Sequence, residues 1–245
     1  MQDTRYSDKY RPEVLHVFIE DHLNQRQLMN SQEALELMRS LTIGDPVKED
    51  MAQHRLMMCR MLIDLNMNLT AEEEDVLLAA AICCILPEVT EGKDLDELLP
   101  VTNHIHRNVV DIVKLLNEIK TLPAEAHPEY FDRVKMNKLA VLIAIADRGN
   151  VAARLHDMNS WQVRHYIYDT HCYYFPLCIY AKQHYHELLS PIGILLEKLR
   201  NLIDLSEILL KKYELMEDEL MSEIDALKEE NGTIKGILQQ LEGCD

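Results

Sequence analysis

A histidine at position 54, adjacent cysteines at 83 and 84, and an aspartate at 147 are the residues of this chain best suited by type to hold a metal ion. Imidazole and thiolate suit Zn²⁺. Imidazole with carboxylate suits harder cations, which lower the pKa of a bound water and make it a nucleophile. The cysteines lie in the middle of an apolar run, LAAAICCILPEV, and the aspartate closes another, LIAIAD. Consecutive side chains on a helix point about 100° apart, and thiols buried among Ala, Ile and Leu favour their neutral form. The pair therefore reads first as two small buried hydrophobes. A zinc site made of His54, Cys83, Cys84 and Asp147 is the alternative.

Other candidates are weaker. His104 and His106 sit two apart, which on a helix points them in different directions. The stretch from His165 to Leu189 concentrates His, Tyr and Cys; it could stack a nucleotide base, though amphipathic helix packing explains it more simply. No glycine-rich phosphate loop, GxSxG elbow or HExxH pair occurs.

The elements that must position these residues are helical. Of 245 residues only 7 are Gly and 8 Pro, while 47% are hydrophobic and strong helix formers dominate. Apolar residues three and four apart predict a helix from about residue 14, and another over 31–41 capped by Ser31. "IGDP" makes a turn, and a longer helix follows over about 47–66, carrying His54. Thr70 is expected to cap the helix that holds the cysteines, with acidic residues in its first turn and Pro87 ending or kinking it. Residues 101–122 form an amphipathic helix, 130–153 one long helix leading into Asp147, and 160–186 two more. From residue 194 onward, Leu202, Leu209, Tyr213, Met216, Leu220, Ile224 and Leu227 recur at mostly three-and-four spacing among charges. That is coiled-coil patterning with one extra four-residue step. The alternative is a long helix folding back on its own domain.

The net charge of −17 disfavours nucleic acid and anionic membrane surfaces as partners. The N-terminus is charged, no run approaches the ~20 apolar residues of a membrane span, and the six cysteines show no disulfide framework. A cytoplasmic location is expected.

The ordered segments "GDP…H", "RMLIDLNMN", "AAAICCILPEVT" and "VLIAIADRGN", with "NVVDIVKLLNEI" between the last two, resemble the hydrolase half of RelA/SpoT-type proteins over roughly residues 30 to 190. These belong to the HD-domain metal-dependent phosphohydrolases. The resemblance implies that His54 and Asp147 stand at the first and last metal-ligand positions, and that Cys83 and Cys84 replace the His-Asp doublet between them. It implies that Pro87 and Glu88 stand where an acidic pair assists the attacking water. Asn150 falls one position before the family's asparagine, and the family's basic residues before "GEP" have no match.

With two of four ligands gone, hydrolysis of the 3'-pyrophosphate of ppGpp is expected to be lost. His54 and Asp147 are then remnants, Asp147 capping its helix or pairing with Arg148 or Arg154. The expectation is an all-α, HD-like helical bundle over 1–192 with a coiled-coil or helical extension over 193–245. Functionally it is a degenerate relative of guanosine polyphosphate pyrophosphohydrolases, with guanine nucleotide as a candidate ligand and no cofactor. Two alternatives stand beside it: a non-catalytic acidic scaffold that self-associates, or binds a partner protein, through the coiled coil; and an active hydrolase with non-standard ligands and a bound Mn²⁺ or Zn²⁺.

Overall fold

The computed structural model describes residues 12–91, 93, 95–99 and 104–242, with the side chains of 104, 105, 233 and 236–242 outside the description. It is all-α, and no strand occurs among the described residues. The helices are α1 (Pro12–Arg26), α2 (Met29–Thr42), α3 (Pro46–Asp64), α4 (Ala71–Cys83), the short α5 (Leu86–Val89) and α6 (Leu95–Leu98), and α7 (His104–Glu118). There follow α8 (His127–Val134), α9 (Lys138–Ala152), α10 (Ser160–Asp169), α11 (Phe175–His184) and the 54-residue α12 (Leu189–Glu242).

Local chemistry sets most boundaries. Gly44 takes φ +83° in the IGDP turn, and Asp45 then caps α3, its carboxylate accepting from Val47 N at 3.1 Å and Lys48 N at 3.3 Å. Pro46 sits in the first turn of that helix, where no N–H is missed. Thr70 caps α4 as expected, in a reciprocal capping box with Glu73. Such caps contribute about 1 kcal/mol each. Helix α4 stops at Cys83, because the ring of Pro87 would collide with that residue's carbonyl in a continuing helix.

Two boundaries differ from the sequence expectation. The helix expected over 130–153 is two helices, α8 and α9. Asn137 interrupts them and caps α9, accepting from Leu139 N at 3.0 Å and Ala140 N at 3.1 Å. Ser31 is not a cap but lies inside α2, fully buried. Its hydroxyl donates to Asp75 Oδ1 at 2.7 Å, and the same carboxylate accepts from the backbone N–H groups of Asn30 and Ser31 at 3.1 and 2.8 Å. Asp75 of α4 thus satisfies the orphan donors at the start of α2.

Helix α4 is the centre of the body. From Val76 to Ile85 every residue is buried, with α2 and α7 packed on two sides and α3 and α9 on others. Helix α9 is apolar for the same reason, lying between α3, α4, α11 and α12. The first turns of α12 belong to this body: Ile192 and Leu195 join the main core, and Leu199 and Ile203 close a smaller one with Val163, Tyr166 and Ile167. Glu214 still accepts from Arg164 Nη2 at 2.6 Å; beyond it the helix leaves the body, and residues 215–230 are all exposed. Among the described residues no helix is long and apolar enough to cross a membrane.

Candidate functional site

Helix α3 presents His54 and Arg55, α9 presents Asp147 and Asn150, and the α4–α5 junction presents Cys84 and Glu88. All meet at one place. His54 Nε2 lies 3.1 Å from Asp147 Oδ1. The Asn150 amide donates both to His54 Nδ1 at 3.1 Å and to the His54 carbonyl at 2.9 Å. The second bond fixes which way the amide faces, so Nδ1 accepts and the network assigns the ring proton to Nε2, which donates to Asp147.

Arg55 is the decisive neighbour. Its Nη1 donates to Asp147 Oδ1 at 2.8 Å, and its Nη2 lies 3.9 Å from Glu88 Oε1. Lys120, just past α7, pairs with the same Glu88 oxygen and donates to Asn117 Oδ1 at 2.7 Å. Asn117 in turn donates to the Cys84 carbonyl at 3.3 Å, serving the end of α4. Two cations and two carboxylates therefore neutralise one another across α3, α5, α9 and the segment after α7. Burial opposes ionisation of Asp147, yet the His54 hydrogen bond and the Arg55 guanidinium outweigh it and hold the carboxyl below its ordinary range. Burial likewise opposes the charge on Arg55, and the acidic groups around it, Asp147 foremost and Glu88 among them, together more than restore it.

The cysteines diverge. Cys84 borders a recess of about 70 Å³, shared with Arg55, Lys120, Tyr130, Asp147 and Tyr174. Cys83 is fully buried in the core. Burial pushes the Cys84 thiol up to about 11 and Cys83 higher still, so both are neutral at physiological pH.

This donor set does not fit a divalent metal. The His54 nitrogen nearest Asp147 carries a proton, the Asp147 oxygen is shared by two donors, and a guanidinium supplies the positive charge. Among the described residues no group of three or more His, Cys, Asp or Glu side chains is placed to hold a metal ion.

The structure brings together His54, Cys84, Glu88, Asp147 and Asn150, and leaves Cys83 behind them in the core. Asp147 pairs with neither Arg148 nor Arg154, contrary to expectation. Arg148 donates to Thr170 Oγ1 at 2.8 Å and lies 3.4 Å over the Tyr166 ring, and Arg154 lies 3.6 Å from Asp50. His106 Nε2 lies 3.1 Å from Glu33, while the His104 side chain is outside the described residues. The His- and Tyr-rich stretch packs rings on rings, with Phe131 stacked on Tyr173 at 5.0 Å and Tyr180 on His184 at 3.9 Å. Arg55 and Lys120 are the site residues that sequence reasoning missed. The signal was present in Arg55, a cation adjacent to His54 in a helix predicted to face the buried cysteine helix.

No protein-family model matches the chain, and no curated protein matches it.

Proposed function

We propose that this chain is a catalytically degenerate relative of the HD-domain guanosine polyphosphate pyrophosphohydrolases, serving as a helical scaffold that self-associates through α12. The observation that carries the loss of catalysis is Arg55 bonded to Asp147. A fixed guanidinium stands against the one carboxylate that the family resemblance assigns to the metal. A divalent cation there would face electrostatic repulsion at close range and would have to break a charge-assisted hydrogen bond. Kinship is supported by convergence: of the positions that the resemblance marks, His54, Cys84, Glu88, Asp147 and Asn150 lie together across α3, the α4–α5 junction and α9, while Cys83 lies behind them.

The recess suits water rather than a nucleotide, since ligand pockets usually enclose about 300 Å³ or more. Guanine nucleotide is accordingly not the ligand we assign to it. Five unbridged cysteines suit a reducing, cytoplasmic setting. The scaffold role rests on α12, whose outer half carries exposed Leu, Ile and Met side chains that nothing among the described residues covers.

The test is metal content by elemental analysis of the full chain after equilibration with Mn²⁺ and Zn²⁺ and desalting, with ppGpp turnover followed in parallel. The expected result is no retained metal and no turnover. One tightly held metal per chain, or metal-dependent release of pyrophosphate, would overturn the reading in favour of an active hydrolase with other ligands.

A further inference from the structure

The outer half of α12 is the longest uncovered apolar surface among the described residues, and its pattern says what covers it. Tyr213, Met216, Leu220, Ile224, Leu227 and Ile234 are each 42% to 61% exposed. They follow one another three or four apart, with Asn231 filling the step between Leu227 and Ile234. A competing row through Leu205, Ile208 and Leu215 runs into Lys212, Glu219 and Ser222 and ends there. Single helices gain most of their stability by packing an apolar face. Tyr213 still borders a recess with Leu155, Met158 and Val163, and from Met216 outward the face is exposed, with nothing packed on it among the described residues.

We infer that α12 pairs with α12 of a second copy as a parallel, in-register, two-stranded coiled coil from Tyr213 outward. This rests on the self-association proposed above and specifies its geometry. In heptad terms Ile224 and Asn231 are a positions and Leu227 and Ile234 are d positions, which makes Glu223 and Glu230 g positions and Lys228 and Lys235 e positions. In a parallel pair each g residue meets the e residue five further along the other strand. Glu223 then meets the partner's Lys228, and Glu230 meets the partner's Lys235. One turn before the extra four-residue step, Lys212 meets the partner's Glu217 by the same rule.

The sign of all three contacts carries the argument. Between Tyr213 and Lys235 the helix holds eight acidic residues and only two lysines, and both lysines fall at e positions facing a glutamate. A polar face with no preferred partner has no need of that placement. Lys228 also lies 3.0 Å from Asp225 within its own helix, an exposed pair weak enough to be shared. Asn231 adds register and orientation. A lone Asn at an a position selects the arrangement in which two such amides meet, which is the parallel, in-register dimer. The four-residue step from Leu220 to Ile224 locally unwinds the supercoil without breaking the seam.

The test uses the full chain in a Cys172→Ser, Cys244→Ser background. Met216→Cys and Leu227→Cys are introduced one at a time, and the protein is equilibrated in a buffer of oxidised and reduced glutathione and run on non-reducing gels. Both variants are expected to give covalent dimers. An antiparallel pair brings at most one of these positions against itself, so a single cross-linking variant overturns the geometry while leaving self-association intact. A monomer by sedimentation at micromolar concentration overturns both. As a second measurement, Lys228→Glu with Lys235→Glu should weaken self-association at least about tenfold. Mixing that variant with a Glu223→Lys, Glu230→Lys chain should restore it. Unchanged dimerisation of each charge variant alone would sink the pairing.

Discussion

Arg55 and Asp147, 92 positions apart in the sequence, share a 2.8 Å hydrogen bond at the junction of α3 and α9. The guanidinium is nearly buried and the carboxylate half-buried, so the pair joins two core helices as well as neutralising the site.

Removing the cation should therefore cost stability. Arg55→Met leaves Asp147 with the His54 hydrogen bond alone, and a destabilisation of about 2 kcal/mol is expected, part of the buried-pair penalty being screened by solvent at the half-open carboxylate. Urea denaturation monitored by circular dichroism measures it. A variant as stable as the parent would remove the pair from the structural account.

The same pair fixes a pH dependence. The folded carboxyl of Asp147 is held below its ordinary value, so its contribution is fully present above the unfolded pKa, near 4. It is lost as pH falls through the lower folded value. Asp147→Asn should flatten the acid limb of the stability profile below about pH 4 and change little between pH 6 and 8. Equal slopes for parent and variant would show that other carboxylates govern acid unfolding.

Asp75 gives a larger effect without any role in the site. It accepts from two backbone N–H groups, from Ser31 Oγ, and from Asn30 Nδ2 at 2.6 Å. Asp75→Ala strips partners from several buried donors and should cost roughly 3 kcal/mol, whereas Ser31→Ala, which leaves the backbone bonds intact, should cost about 1 kcal/mol. A reversed order would place the weight of this network elsewhere.

Thiol reactivity distinguishes packing from chemistry. Cys59, Cys83, Cys84 and Cys178 are buried and Cys172 is exposed; burial raises Cys59 and Cys178 to about 12. In native protein at neutral pH, carrying Cys244→Ser, an aromatic disulfide reagent should modify Cys172 alone, the others reacting only in denaturant. Rapid modification of Cys84 would make the recess a reactive site.

The helices were legible because their causes are local. Thr70 followed by Glu73, the IGDP turn, and the apolar runs around Ala80 and Ile143 act within a few residues of themselves. The break at Asn137 was legible in principle, since a capping residue precedes Lys138–Ala152, but the apolar spacing on either side masked it. The exposed apolar row along α12 was equally plain as a period in the sequence.

The site was legible only in part. The resemblance marked His54, Asp147, Glu88 and Asn150, and burial of Cys83 and Cys84 followed from their neighbours. Their meeting across four helices, the assignment of Asp75 to the start of α2, and above all the choice of Arg55 rather than Arg148 or Arg154 as partner of Asp147 were decided by tertiary structure. Periodicity tells which face of a helix is buried. Which cation reaches a carboxylate depends on how two helices cross, and that is set by the packing of side chains distant in the sequence.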